Sequence, residues 1–258
     1  MHRRLFLGGI TGLIGSSICD AAPKGSILEL RRYRMRNSSE QQMQRTSEFI
    51  EKHAIPAGKR AGGVVAGVFA NSVSPGGPFV LMVNQYKSLA AMEESQEKLA
   101  ADKEFMGALE SYYAGPLGYE RVEVSLLRAF DSIPTAEAPP IEEGKAPRVF
   151  ELRVYESNTP ASLKRKIAMF EGGGEMGIFR RVGIRPVFFG SALAGPNLPN
   201  LTYMVCYDNL AAREAAWKAF LADPEWQKLR ATPGLGDAEL VSNIGNEFLR
   251  PLPFSAIR

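Results

Sequence analysis

The chain is 258 residues long, 45% apolar and 23% charged, a profile that supports one large or two ordinary globular domains with a real core. Lys and Arg number 31 against 28 Asp and Glu, a net charge of +3. That is too small for a phosphate-backbone footprint, so nucleic acid is set aside as a partner. The only cysteines are Cys19 and Cys206, and once a leader carrying Cys19 is removed the second cannot close an internal disulfide.

The first residues, MHRRLFLGGITGLIGSSICDAA, have the n-, h- and c-region layout of a signal peptide over residues 1–22. The apolar run from Leu5 to Ile18 is shorter than the roughly 20 residues a bilayer span needs. RRLFL resembles the twin-arginine export consensus, and small residues flank a cut after Ala21. Cys19 is a poor lipid-anchor site because the bulky Ile18 precedes it. No later stretch could span a bilayer, so the mature protein is expected to be exported, periplasmic or otherwise extracytoplasmic.

The remaining chain says the same thing twice. ILELRRY begins at Ile27 and VFELRVY at Val149, 122 residues later. SLAAMEESQEKLAADKEF, from Ser88, matches NLAAREAAWKAFLADPEW, from Asn209, at an offset of 121. LMVNQY answers YMVCY, and RAGGVVAGVF answers RVGIRPVFF. An offset held within one residue over four segments marks a tandem duplication.

Each copy reads as strand, helix, two strands, helix, strand. A first helix is expected to start at a capping box of Ser38 and Gln41, with Met43, Phe49 and Ile50 as its apolar face. Its counterpart has Thr159 as cap, Pro160 in the first turn, and Leu163, Ile167 and Phe170 as a stripe. The strand pairs fall at residues 64–70 and 79–86, then at 184–191 and 201–207, joined by hairpin turns rich in Gly, Pro and Asn. Second helices start at Ser88 and Asn209, and Asp223 with Pro224 restarts a helical turn. Closing strands fall near 121–130 and 244–249. The order β-α-β-β-α-β is ferredoxin-like. The expected division is a first domain over 25–131, a proline-rich linker over 132–147 and a second domain over 148–258.

Alternation divides the opening strands into two faces. Leu28 and Leu30, like Phe150, Leu152 and Val154, are expected to face the helices. Glu29, Arg31 and Tyr33, like Glu151, Arg153 and Tyr155, are expected to line the space between two sheets packed face to face. Two readings of that row stand side by side. One is an ion-pair network that fixes how the sheets dock. The other is the floor of a ligand cavity, in which Arg31 or Arg153 meets a carboxylate or oxyanion and Tyr33 or Tyr155 donates a hydrogen bond.

LELRRY and FELRVY opening each copy, with ADPEWQKL late in the second, resemble the NIPSNAP family of the dimeric α/β-barrel group. The resemblance covers nearly the whole mature chain, once per copy. It implies an α+β fold of two ferredoxin-like units packed sheet to sheet as an internal barrel. The first copy departs from the pattern, since ADKEF lacks the Pro and Trp. The family supplies no agreed catalytic set to transfer, and the barrel's other members include cofactor-independent monooxygenases, haem-handling enzymes and small isomerases. The expectation is therefore a binder of a small, partly apolar molecule. The alternatives are a cofactor-independent monooxygenase or isomerase, and a non-catalytic assembly protein. A homo-oligomer is left open.

His2 and His53 are the only histidines, so a zinc site of clustered His and Cys is excluded by count. His53 alone could ligate haem, but a half-exposed histidine near the end of the first helix is the simpler reading, and no cofactor is expected. EGGGEMG, at 171–177, follows a helix rather than a strand, unlike a nucleotide loop. It reads as a helix break or as a lip over the cavity. Trp217 and Trp226 read as core, and Cys206 as a small buried residue of its strand.

Overall fold

The computed structural model describes residues 25–140, 144 and 146–258. The leader expected over residues 1–22 lies outside them, as do Glu142 and Glu143. The first copy contributes β1 (Ile27–Arg34), β2 (Val64–Val73), β3 (Phe79–Tyr86) and β4 (Arg121–Ala129). The second contributes β5 (Val149–Ser157), β6 (Arg185–Ala194), β7 (Asn200–Tyr207) and β8 (Val241–Pro251). Within each copy the opening strand lies between the hairpin and the closing strand. The two sheets then join edge to edge through β2–β8 and β4–β6, giving a closed barrel in the order β1-β3-β2-β8-β5-β7-β6-β4.

Closure removes the four strand edges that two separate ferredoxin-like units would expose. It also requires curvature. β2 and β6 carry matching bulges, between Val65 and Gly67 and between Pro186 and Phe188. Such bulges bend a strand and increase its twist. At the β4–β6 seam the strands approach so closely that a Cβ on Gly190 would stand 2.8 Å from the Leu127 Cβ, which only glycine avoids.

Helices cover the outside. In the first copy α1 (Gln42–Phe49) runs through one π-helical turn, Ile50–Ala54, into α2 (Ile55–Arg60). Pro56 accounts for the widened turn, because its ring would collide with the carbonyl four residues back in a regular α-helix. α3 (Leu89–Ala101) and α4 (Lys103–Ala114) follow β3. In the second copy α5 (Pro160–Glu171) and α6 (Glu175–Arg181) follow β5, and α7 (Leu210–Ala222) and α8 (Pro224–Arg230) follow β7. The short α9 (Asp237–Leu240) leads into β8.

The caps expected at Ser88, Thr159, Asn209 and Asp223 are all made. Asp102 caps α4 in the same manner without a proline, accepting from the Phe105 N–H at 3.0 Å. Each of these aspartates also takes the arginine that ends an earlier helix of its copy, Arg60 of α2 on Asp102 and Arg181 of α6 on Asp223. The departure of ADKEF from ADPEW therefore leaves the turn intact. The capping box expected at Ser38 is not formed. α1 starts after Gln41, which has a left-handed backbone and makes no side-chain cap. His53 lies inside the π turn of a helical run that continues to Arg60, not near its end.

The assignment of strand faces is corrected by the structure. Leu28, Leu30, Phe150 and Leu152 point into the barrel, where they meet Phe69, Leu81, Phe188, Met204 and Leu249. The Glu-x-Arg-x-Tyr rows lie outside, under the helices. Both faces of each opening strand are covered, one by the opposite sheet and one by helices. Alternation reveals two faces but not which cover each receives. Cys206 is buried in the lumen, and burial raises its thiol to about 11. EGGGEMG breaks the helix between α5 and α6, with Gly174 left-handed at φ 85°.

Residues 132–140 have no regular structure and are largely exposed, but they are anchored to the barrel at several points. Ile133 is fully buried, Ser26 donates to the Pro134 carbonyl at 2.7 Å, and the Glu137 N–H donates to the Val187 carbonyl. The C-terminal tail adds Ile257 to the luminal cluster, and Ser255 Oγ accepts from the Val68 N–H. Apolar side chains, the tail and residue Ala136 thus stop one end of the barrel.

Thr159→Ala should lower stability by about 1 kcal/mol, because it removes the partner of the Ser162 N–H. Ser38→Ala, where no cap forms, should stay within about 0.5 kcal/mol of wild type. Urea unfolding of the two variants checks the pair.

Candidate functional site

The first copy holds a cavity of about 270 Å³ between its sheet and its helices. Arg31 and Tyr33 from β1 and Met82, Asn84 and Tyr86 from β3 form its floor. Phe49, just before the π turn, and Ala54, its last residue, line it from the helical side with Gly58, Ser95 and Phe105. An aromatic wall closes it. Tyr112 stacks on Phe49 with ring centres 4.5 Å apart, and Tyr33 meets Tyr119 edge-on at 5.2 Å.

The floor is organised by Glu29, which is 1% exposed. It accepts from Arg31 Nε at 3.0 Å and from Arg31 Nη2. On its other oxygen it accepts from Asn84 Nδ2 at 3.0 Å and from the Tyr86 hydroxyl at 3.2 Å. Four donors fill the roughly four lone-pair sites of this carboxylate, so none is left to face the cavity. Burial works against the Arg31 charge, but Glu29 outweighs it, so the guanidinium is held more firmly protonated than usual.

Three donors on the cavity wall are uncommitted. Arg31 Nη1 and the Tyr33 hydroxyl make no hydrogen bond among the described residues. Ser95 Oγ is buried without a partner. A buried hydroxyl left unpaired costs free energy that a bound acceptor would recover. Burial raises the Tyr33 phenol to about 12, with Glu29 adding to the shift and Arg31 opposing it. It is therefore a neutral donor near pH 7.

The second copy repeats the row but not the space. Glu151 is fully buried and accepts from Arg153 Nη1 at 2.6 Å. It also accepts from Arg213 Nε at 2.8 Å and Nη2 at 2.9 Å. Arg213 comes from α7, where the first copy has Met92. Burial opposes ionisation of Glu151, yet the two arginines hold its carboxyl below the ordinary range. The Arg153 guanidinium lies over Trp217 at 4.7 Å and donates to the Tyr155 hydroxyl at 3.3 Å. Its side chain is 11% exposed against 32% for Arg31, so only the first copy presents its arginine to an incoming molecule.

Four exchanges account for the difference. Gly58, Val68, Met82 and Gln96 of the first copy stand where the second has Phe179, Phe189, Tyr203 and Trp217. Phe189 and Tyr203 stack at 4.5 Å, and Phe179 meets Phe220 edge-on at 4.9 Å. These rings fill the volume that is open in the first copy.

Of the six candidates named from sequence, Arg31 and Tyr33 line the cavity and Glu29 holds Arg31 from beneath. Glu151, Arg153 and Tyr155 form a packed polar cluster under their own helices. None of the six lies between the sheets. Sequence reasoning missed Asn84, Tyr86 and Ser95, which come from other elements. The exchange of Gly58 for Phe179 was legible as a difference between the copies.

Two tandem ferredoxin-like units, closed into one eight-stranded barrel with a polar-floored cavity under the helices of the first, define an α+β barrel protein. The NIPSNAP family profile matches residues 28–130 and again 144–256, and the chain belongs to that family. Among curated proteins none matches it.

Of solved structures, a candidate monooxygenase from Lactobacillus acidophilus aligns with a TM-score of 0.56 at 13% identity, over 88% of this chain and 94% of its own. A candidate monooxygenase from Fusobacterium nucleatum aligns at 0.53 and 11%, over 88% and 93%. At these identities the likeness is one of fold. An uncharacterized NIPSNAP-like domain protein from Burkholderia xenovorans is 26% identical over 42% of this chain and 87% of its own, with a TM-score of 0.36.

Absorbance titration should show Tyr33 ionising near pH 12, about two units above a free tyrosine, as the difference between wild type and Tyr33→Phe. The raised value means that the folded state prefers the neutral phenol. Its contribution to stability is complete below pH 10 and is lost as the pH rises through 12.

Proposed function

We propose that the chain binds, in the cavity of its first copy, a small aromatic molecule that carries an acidic oxygen, such as a phenolate, an enolate or an aromatic carboxylate. The observation that carries this reading is the uncommitted Arg31 Nη1 in an aromatic-walled cavity with no carboxylate among its described lining residues, the partner of Arg31, Glu29, lying beneath the floor with four donors already on it. Charge-assisted hydrogen bonds from a guanidinium favour an oxyanion. The rings of Phe49, Phe105 and Tyr112 favour a flat apolar body.

Turnover as a cofactor-independent oxygenase or isomerase would begin from the same complex, since an enolate or phenolate is the species that such chemistry needs. With Glu29 saturated and Tyr33 protonated, the ligand would have to arrive ionised. The names of the fold neighbours bear on this only by analogy of fold. We also infer from RRLFL that the protein is exported by the twin-arginine route, a path that carries folded cargo.

Titration with 2-naphthoate, followed by tryptophan fluorescence and calorimetry, tests the binding reading. One molecule should bind per chain, and naphthalene should bind far more weakly. Arg31→Ala should weaken naphthoate about ten- to a hundredfold, the worth of a hydrogen bond to a charged group. A Cβ on Gly58 would meet only Val65 Cγ2, at 3.8 Å, so Gly58→Phe should fold normally and abolish binding. Naphthoate uptake undiminished in Gly58→Phe would refute the assigned site. No saturable binding of aromatic acids would leave the non-catalytic assembly role as the better reading. Replacing Arg3 and Arg4 by lysine should retain the precursor in the cytoplasm, and cell fractionation checks this.

A further inference from the structure

We propose that the open end of the barrel lumen is a second binding site, one that takes a small organic cation, a primary amine on a short apolar chain. Opposite the stopped end the lumen widens into a cavity of about 740 Å³ between the two sheets. It lies on the other side of the sheets from the aromatic cavity and does not depend on that reading. Its deeper wall is apolar, built from Leu30, Leu81, Leu152 and Val154. Its mouth is charged, and the charges are unevenly shared.

On the first-copy side both cations pair with carboxylates, Arg32 through both terminal nitrogens and Arg34 through its Nε alone. Arg32 spans the lumen from β1 to β8 and donates to both oxygens of Glu247, with Nη1 at 3.0 Å and Nη2 at 2.5 Å. Its guanidinium lies over Phe79 at 4.2 Å. Arg34 donates from Nε to Glu123 at 2.9 Å, and Glu123 also accepts from Arg121 at 3.1 Å.

On the second-copy side stands Glu156, the residue that corresponds to Arg34. It accepts only from neutral amides, Asn243 Nδ2 at 2.9 Å and Asn197 Nδ2 at 3.2 Å. No cation forms an ion pair with it among the described residues. The amide nitrogens of Asn243 and Asn197 are committed to the carboxylate, which leaves their carbonyl oxygens as acceptors. Next to them Asn200 spends its amide nitrogen on the carbonyls of Pro196 and Asn197.

An anion placed there would meet a carboxylate and amide oxygens. A neutral molecule would leave the carboxylate without a counterion. An ammonium group satisfies Glu156 and the adjacent carbonyl oxygens, and its chain lies on Leu30, Leu152 and Val154. A twofold pair of identical copies could not present this mouth, because Arg34 would recur at the position of Glu156 and Arg32 at that of Val154. The site is a product of the tandem arrangement.

Calorimetry and ligand-detected NMR on the full chain, with hexylammonium and hexanoate as probes, test the proposal. Hexylammonium should bind saturably and hexanoate should not. Glu156→Gln keeps an acceptor for the two asparagines, so the barrel should fold with an unchanged thermal midpoint while hexylammonium affinity falls about tenfold or more. Val154→Arg, which restores the counterpart of Arg32, should abolish binding. Gly58→Phe, which closes the other cavity, should leave it unchanged. Equal binding of hexanoate, hexylammonium binding indifferent to Glu156→Gln, or no saturable hexylammonium binding would each overturn the proposal.

Discussion

The whole arrangement depends on covering one apolar sheet face. Leu28, Leu30, Phe69 and Leu81 lie on the inner face of the first sheet and Phe150, Phe188, Met204 and Leu249 on that of the second, and the two sets form one buried cluster. Each set is the other's cover. Burial of several such side chains, each worth roughly 1.5–3 kcal/mol, far exceeds what the surface ion pairs between the copies contribute. Once the two faces meet, the strand edges fall within reach of each other and the barrel closes. The helices are then the only cover left for the Glu-x-Arg-x-Tyr rows.

That division of labour explains why the polar rows behave as they do. A glutamate buried between sheet and helix must be paired, because an unpaired buried charge is costly. Both copies solve this with the arginine two residues on. They differ in what supplies the remaining donors. In the second copy Arg213 reaches in from α7 and large rings complete the packing, so the row is structural. In the first copy Asn84 and Tyr86 complete the shell from within the sheet, no helix arginine enters, and the space above stays open. The same motif is a strut in one place and the floor of a cavity in the other.

The fold was legible because the duplication was. An offset kept through four segments fixed the number of units, and the caps at Thr159, Asn209 and Asp223 marked their helices. The face assignment failed for a physical reason. Leu28 and Glu29 are both buried, so polarity could not tell which neighbour lay outward. The start of α1 was misplaced because Gln41 takes a left-handed backbone, which leaves no side-chain signature. The site was half legible. Arg31 and Tyr33 could be named from the motif, but Ser95 and Asn84 enter through tertiary packing that no local pattern encodes.

The stopper at one end of the barrel has a consequence for exchange. With Ile257 and its neighbours seated among the luminal side chains, the tube is stopped at that end among the described residues. A solute and the water it displaces must use the same opening in opposite directions. Traffic through such a tube is governed by the width of its open end, across which the Arg32–Glu247 pair lies.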